Sequence, residues 1–439
     1  MSDEVVVTGF GVRTAFGAGA AAVRRGVFAG TPGFAPTTRF DTRPFRTSAA
    51  AADPASGPRP LREALGECAD EAVAMAGLPC GGDTAVLVGT AGDFTGLTRF
   101  WRGRDAQSRS VEGPVVDTAL ELVGSGGDLA GITGAWRGRD AQVPAPGGSV
   151  VGTAAETFAG IAGVIDVGDT VPARQVDLLA ERIGAHGRRL AFTNACVASA
   201  SALIHACRLI AAGLAESVVC AGGYLVEEEN FAKFDSGMTF SRDAAMRPFS
   251  VDRSGLLLGD GVAAIVLESA AAARRRGATP LAAVVGWGAA GDAHHIARPH
   301  PDAAGLVAAT RQALRRAEDP DGLRVDYVNA HGTATKANDV AETRGLHTVF
   351  GKRADQVPVS STKSTTGHLL EASGAVEFVI TLLALRDSVL PPTAGFTTAD
   401  PNCDLDYVPN RPRPAELRRA LTVNAAFGGA NTALLLERR

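Results

Sequence analysis

The sequence predicts an α/β protein in which helices cover buried sheets. Short apolar runs of strand type, such as Val5-Val6-Val7, Ala85-Val86-Leu87-Val88 and Ser217-Val218-Val219-Cys220, end in small-residue turns. Stretches with helical spacing alternate with them, which implies helix layers on sheet. The same rhythm runs through residues 1–270 and starts again in residues 271–439, so the chain reads as two equivalent halves.

Taken in order, Val5–Val12 forms a buried strand entering a turn at Gly9 and Gly11. A dinucleotide fingerprint would need a third glycine where Thr14 stands and an acidic residue after a matching strand, so these glycines are given a packing role. Leu61–Ala76 has helical spacing and Thr84–Thr90 is a second strand. Trp101-Arg102-Gly103-Arg104-Asp105-Ala106-Gln107 then recurs at Trp136-Arg137-Gly138-Arg139-Asp140-Ala141-Gln142. Two copies are too few for a solenoid, so residues from about 89 to 158 read as a duplicated insertion beside the core fold. A helix follows over Ala173–His186, then a strand ending at Phe192, a turn through Asn194, and a helix from about Cys196 to Gly213. Ser217–Gly223 is another strand. The acidic triplet Glu227-Glu228-Glu229 reads as a solvated loop face, Gly259–Glu268 as a Gly turn feeding a strand, and Ala271–Gly277 as a short closing helix.

In the second half, strands at Leu281–Gly288, Val325–Ala330 and Pro358–Ser360 alternate with helices at Ala304–Ala317, Asp339–Val349 and Glu371–Asp387. Two last strands lie near Asp406–Val408 and Leu421–Val423.

At 439 residues, nearly half of them apolar, the chain can build a large core. Its formal charge of −4, with both signs interspersed, offers no basic stripe for nucleic acid and no acidic tail. The six cysteines stand without CxxC pairs or histidine spacing suited to zinc, so neither a metal nor a cofactor is expected. A strand begins almost at once, and no apolar run reaches membrane-spanning length. The expectation is a cytoplasmic protein in a reducing setting.

Three segments carry chemistry. Cys196 sits where a strand-type run gives way to an Ala-rich helix, and unpaired amides at a helix start favour thiolate over thiol, which suits a nucleophile. Asn329-Ala330-His331-Gly332-Thr333 holds a histidine at a strand end. Lys363 and His368 stand together before a helix in a chain with only four lysines. His294 and His295 are adjacent, and on extended backbone would point to opposite faces, which disfavours a shared metal. Asp339 and Glu342, one helical turn apart, read equally well as site acids or as charges at a helix N-terminus.

The combination resembles the elongating β-ketoacyl-acyl carrier protein synthases of the thiolase superfamily, which include ketosynthases of type II polyketide pathways. The resemblance runs through Val6-Val7-Thr8-Gly9-Phe10-Gly11, Asn194-Ala195-Cys196, Ala221-Gly222-Gly223, Arg247-Pro248-Phe249 and Leu258-Gly259-Asp260-Gly261. It continues in the His331 segment, Ser361-Thr362-Lys363, Gly367-His368 and Phe427-Gly428-Gly429-Ala430-Asn431. It implies a thiolase-like fold layered αβαβα from two pseudo-equivalent halves. It also implies decarboxylative condensation of an acyl group on Cys196 with a malonyl thioester. By the same resemblance, His331 and His368 stabilise the malonyl-derived enolate, Lys363 polarises the His368 side, and the amides of Cys196 and Phe427 form an oxyanion hole. The implied partner is an acyl carrier protein bearing acyl and malonyl groups. A homodimer is implied first, a heterodimer with a ketosynthase-like partner second. Non-catalytic chain-length-setting subunits of such heterodimers typically lack the nucleophile that this chain keeps, and thiolases carry a second, late cysteine in a Cys-x-Gly turn, unlike Cys403.

Departures from the family pattern are Asn194 for a usual Thr, Val197 for Ser or Thr, and Ala425-Ala426 for Phe-Gly before Phe427. Ala426 restricts a loop that gates the acyl pocket, so a specialised substrate range is expected. Arg274–Arg276, or Arg311 with Arg315 and Arg316, are candidate docking cations, or else solvated helix faces.

Overall fold

A computed structural model describes residues 4–53, 59–79, 81–98 and 167–439. The chain divides into a compact unit of residues 1–95 with 168–439 and a second of residues 96–167. Apart from its beginning, the duplicated insertion lies outside the described residues, as does Cys80.

Among the described residues, ten strands form the main path of one sheet. They are β1 (Val5–Thr14), β2 (Ala85–Gly89), β3 (Arg189–Phe192), β4 (Ser217–Tyr224), β5 (Gly261–Ser269), β6 (Ala282–Gly291), β7 (Tyr327–Asn329), β8 (Val359–Ser360), β9 (Arg419–Ala425) and β10 (Ala430–Arg438). In space β3, β2, β4, β5 and β1 run in that order, and β6, β10, β9, β7 and β8 continue from β1. Numbered within its own half, each set of five reads third, second, fourth, fifth, first from its outer edge. The directions agree as well: the outer three strands of each half are parallel, and the next two pairings are antiparallel. Among the described residues the two five-strand sets pair at three positions, Val5, Val6 and Val7 of β1 against Val284, Ala283 and Ala282 of β6.

Helix α1 (Leu61–Ala76) covers β1, β5 and β4, and α2 (Pro172–Arg182) covers β2 and β3. Helix α3 (Ala198–Ala211) follows β3, and α4 (Glu228–Ser236) follows β4. Helix α5 (Ala304–Arg316) lies on β6 and β10, with α6 (Lys336–Phe350) beside it. Helix α7 (Ser373–Asp387) and α3 each touch strands of both halves, so they form the central layer. The layer order is helices, one five-strand set, helices, the other five-strand set, helices. That position explains why α7 is buried on every side from Ser373 to Leu385, whereas an outer helix such as α1 buries one face.

The glycines of β1 do pack. A Cβ on Gly9 would come within 2.1 Å of the Ala72 carbonyl oxygen, and one on Gly11 within 2.1 Å of that of Cys68, so α1 lies directly on bare backbone.

Two sequence expectations are corrected. No strand forms at Asp406–Val408, because Val408 adopts left-handed backbone (φ 47°), outside the extended region; Tyr407 stacks on Phe249 at 4.0 Å and its hydroxyl meets Thr343. The acidic triplet opens helix α4, and Glu227 is buried where solvent was expected. The arginine clusters do lie on solvated helix faces: Arg274, Arg275, Arg311, Arg315 and Arg316 are exposed, Arg275 pairing with Glu216 at the surface and Arg316 lying 4.7 Å from the Trp287 ring, while Arg276 holds Glu268.

Candidate active site

Every candidate residue follows the end of a strand. Cys196 comes after β3, His331 after β7, Lys363 and His368 after β8, and Phe427 after β9. In the pseudo-repeat β3 and β8 are equivalent, so Cys196 and the Lys363–His368 segment occupy matching places in the two halves.

At the nucleophile, Ala195 adopts left-handed backbone (φ 52°), a conformation that costs an L-residue roughly 1–2 kcal/mol. Cys196 lies in a 3-10 turn, Ala195–Val197, just before α3. Bare backbone lets this helix start sit close. A Cβ on Gly89 would come within 2.3 Å of the Ser199 amide, one on Gly222 within 2.5 Å of the Ser199 Cβ, and one on Gly374 within 2.4 Å of the Ala200 amide. Ser199 Oγ accepts the Ala375 amide at 2.9 Å, locking α3 to α7. Asn194, where the family has Thr, donates to Ser201 Oγ at 2.8 Å.

Cys196 is buried, and its thiol is pushed up to about 12, first by burial and then by the Glu371 charge, with Lys363 pulling the other way. The expected thiolate is therefore corrected: desolvation outweighs the helix start, and the resting group is a thiol.

His331 is held by its backbone. Glu342 accepts the amides of His331 and Gly332, each at 2.7 Å, and Ser361 Oγ donates to the Gly332 carbonyl at 2.7 Å. Glu342 is thus a site acid, buried and raised to about 7 mainly by that burial. Asp339 accepts the Phe249 amide and faces Arg253, which is itself bound to Asp400.

His368 is clamped between Leu257 and Gly259: its amide donates to the Leu257 carbonyl at 2.7 Å, and its carbonyl accepts the Gly259 amide at 3.1 Å. Its Nδ1 accepts the Leu370 amide at 3.3 Å and lies 3.2 Å from Ser373 Oγ. A neutral ring whose Nδ1 accepts carries its proton on Nε2. The His331 and His368 rings stand 5.4 Å apart and nearly perpendicular, at 84°.

Lys363 donates to Glu377 Oε1 at 2.5 Å, with neither side chain exposed, and Asn424 Nδ2 donates to the other oxygen at 2.6 Å. Its ammonium acts on all three reactive groups. It opposes the rise at Cys196, and it helps burial hold both histidines well below their ordinary value. The site therefore gathers around one ammonium, with both imidazoles neutral at pH 7.

Phe427 is half exposed and stacks on Phe234 at 5.8 Å, whose edge meets His368 at 6.3 Å. The amides of Ala426, Gly428 and Gly429 bond Ala430, Ile296 and Ala426, which leaves that of Phe427 without a backbone acceptor among the described residues. The exposed His295 folds its own loop, Nδ1 accepting the Ala297 and Arg298 amides. A pocket beside His331 is lined by Asp292, Leu306, Asn338, Glu342, Ala425 and Asn431. Among the described residues no group of His, Cys, Asp and Glu could hold a metal ion, and no helix is long and apolar enough to cross a membrane.

Sequence reasoning missed Glu377, Phe234 and Glu371. Glu377 had a signal, a lone acid amid the apolar run of α7. The other two had none.

Two family models match the chain. Residues 167–273 match the beta-ketoacyl synthase N-terminal domain, and residues 281–397 match the C-terminal domain of the same family. A 3-oxoacyl-[acyl-carrier-protein] synthase 2 from Vibrio harveyi is 38% identical over 279 residues, 61% of this chain and 67% of that protein. The chain belongs to the β-ketoacyl synthase family. A synthase of the same name from Coxiella burnetii is 39% identical over 259 residues, 57% of this chain, and the match spans 62% of that relative's length. Among solved structures, the ishigamide ketosynthase/chain length factor superposes with a TM-score of 0.81 at 28% identity, covering 100% of both chains. That likeness fits the thiolase-like layering of the fold.

Proposed function

We propose that this chain condenses an acyl group held on Cys196 with malonyl-acyl carrier protein, releasing carbon dioxide and giving a β-ketoacyl-acyl carrier protein. The observation that carries the reading is the pair of neutral, mutually perpendicular imidazoles sharing one buried ammonium with the thiol. Acyl transfer forms the Cys196 Sγ–carbonyl bond and breaks the carrier thioester. The thiol proton leaves with the carrier's sulfur, so a buried thiol needs no permanent thiolate. The oxyanion of that step meets the Cys196 and Phe427 amides, and loss of one such donor costs about 3 kcal/mol.

Malonyl decarboxylation then leaves an enolate. Its oxygen is met by Nε2–H of His368 and by His331, whose Nδ1 is buried without a partner. Burial, aided by the Lys363 charge, keeps both rings neutral, and on His368 the accepting Nδ1 leaves the proton on Nε2 as the donor. A chain-length-setting, non-catalytic subunit is the other reading; the retained Cys196, His331, His368 and Lys363 speak against it.

Acyl carrier protein is the proposed partner, as in the names of the relatives. A second copy of this chain is proposed to pair along β3, an exposed strand bonded only to β2 among the described residues. A ketosynthase-like partner is the alternative occupant of that edge. We infer a cytoplasmic setting, a specialised polyketide or fatty-acid-like pathway, and a division of the polypeptide at residues 270/271 into a nucleophile half and a histidine half.

The test is intact-mass analysis. Incubation with an acyl-carrier protein should add one acyl mass on Cys196, and later malonyl-carrier protein should remove it with formation of β-ketoacyl-carrier protein. A Cys196→Ala protein that still formed product would refute the reading.

A further inference from the structure

Beside the nucleophile lies a group of polar atoms that the condensation does not use. Glu371 belongs to the 3-10 turn Leu370–Ala372, which packs against the Cys196 turn, the start of α3 and strand β4. Its Oε2 is shielded from solvent and has no partner, the only such carboxylate oxygen among the described residues. Other buried acids are satisfied: Asp260 by Arg39 and the amides of Asp53 and Val226, and Glu377 by Lys363 and Asn424.

Tyr224, at the end of β4, is a second case. Its hydroxyl leans towards the Glu227 backbone without making a bond of good geometry, and it is buried and unpartnered. Glu227 closes the group, with Oε1 accepting Asn230 Nδ2 at 2.7 Å and Oε2 accepting the Phe94 amide at 3.1 Å. The turn that carries Glu371 packs on both the Cys196 turn and β4, the strand that ends in Tyr224, and Glu227 follows three residues later, which brings the group beside the nucleophile. Burial raises Glu227 to about 8, so it is a neutral acid at pH 7.

A buried polar atom without a partner costs about 1–3 kcal/mol, so two of them in this one region are accounted for by a bound group that supplies the missing hydrogen bonds. We propose that Glu371, Tyr224 and Glu227 form a hydrogen-bonding wall beside Cys196 that selects an acyl chain bearing a hydroxyl or carbonyl oxygen over a saturated one. This rests on the acyl-transfer reading of Cys196. A saturated chain leaves the wall dry and unpaired; an oxygenated one satisfies it. Sites built to bond a substrate oxygen discriminate strongly against analogues that lack it.

The test uses the full chain and N-acetylcysteamine thioesters of one length: octanoyl, 3-hydroxyoctanoyl and 5-oxooctanoyl. Thioester exchange forms the Cys196 Sγ–acyl bond, breaks the donor C–S bond and returns the proton to the departing thiol. At least one oxygenated donor should acylate Cys196 tenfold or more faster than octanoyl, and Glu371→Leu and Tyr224→Phe should each pull that ratio towards one. Tyr224→Phe removes a single oxygen, so it keeps the test decisive should Glu371→Leu fail to fold. Octanoyl reacting as fast as the others, or a ratio untouched by both variants, overturns the wall and means that water alone occupies it. Absence of acylation by every donor would instead sink the acyl-transfer reading, and the wall with it.

Discussion

Lys363 and Glu377 form an ion pair at 2.5 Å with no exposed atom on either side chain. Removing one member of a buried pair strands the other, at about 3–5 kcal/mol, whereas replacing both with apolar groups is often neutral. Glu377→Ala should therefore lower the urea midpoint sharply, and a Lys363→Met/Glu377→Leu double variant should recover most of the loss while remaining inactive. A double variant as unstable as the single one would argue that the pair is not the source of the effect.

The histidines give a pH signature of stability. Both are held below the ordinary 6.5, so the unfolded chain takes up protons as pH falls past that value while the native rings do not. The native state consequently loses stability on acidification through this window, by up to about 1.4 kcal/mol per pH unit for each ring. The advantage of the wild type over His368→Asn in urea unfolding should shrink between pH 7 and pH 5. Parallel curves would show that the ring is not depressed.

The thiol gives a kinetic signature. With Cys196 at about 12, its thiolate fraction should grow tenfold per pH unit throughout the neutral and mildly alkaline range. Iodoacetamide labelling, followed at the Cys196 peptide, should rise log-linearly to pH 10. A plateau near pH 8 would instead restore the thiolate expected from the helix start.

Gly259 offers a structural probe. A Cβ there would lie 1.8 Å from the Thr366 carbonyl oxygen, while its amide holds the His368 carbonyl. Gly259→Ala should abolish condensation through displacement of His368 yet leave Cys196 open to slow acylation. Retained condensation would mean that the clamp on His368 is not needed.

Much of this was legible in the sequence. Strand β4 and helix α1 are apolar in patterns with one reading each, and the motif residues Cys196, His331, Lys363 and His368 do gather around one centre. Where the environment depends on chain far away in sequence, local pattern gave the wrong sign. The Cys196 ionisation follows burial under both halves, and Glu227 looked like one of three solvated acids until the fold covered it. Likewise the role of Gly259 is set by Thr366, a partner that no local spacing reveals.

On the proposed reading, this site makes an enolate by decarboxylation. Malonyl-carrier protein labelled at the free carboxyl should release labelled carbon dioxide with the acylated wild type, and His331→Ala and His368→Ala should each slow that release by a hundredfold or more. Release at the wild-type rate from both variants, or none from the wild type, would contradict it.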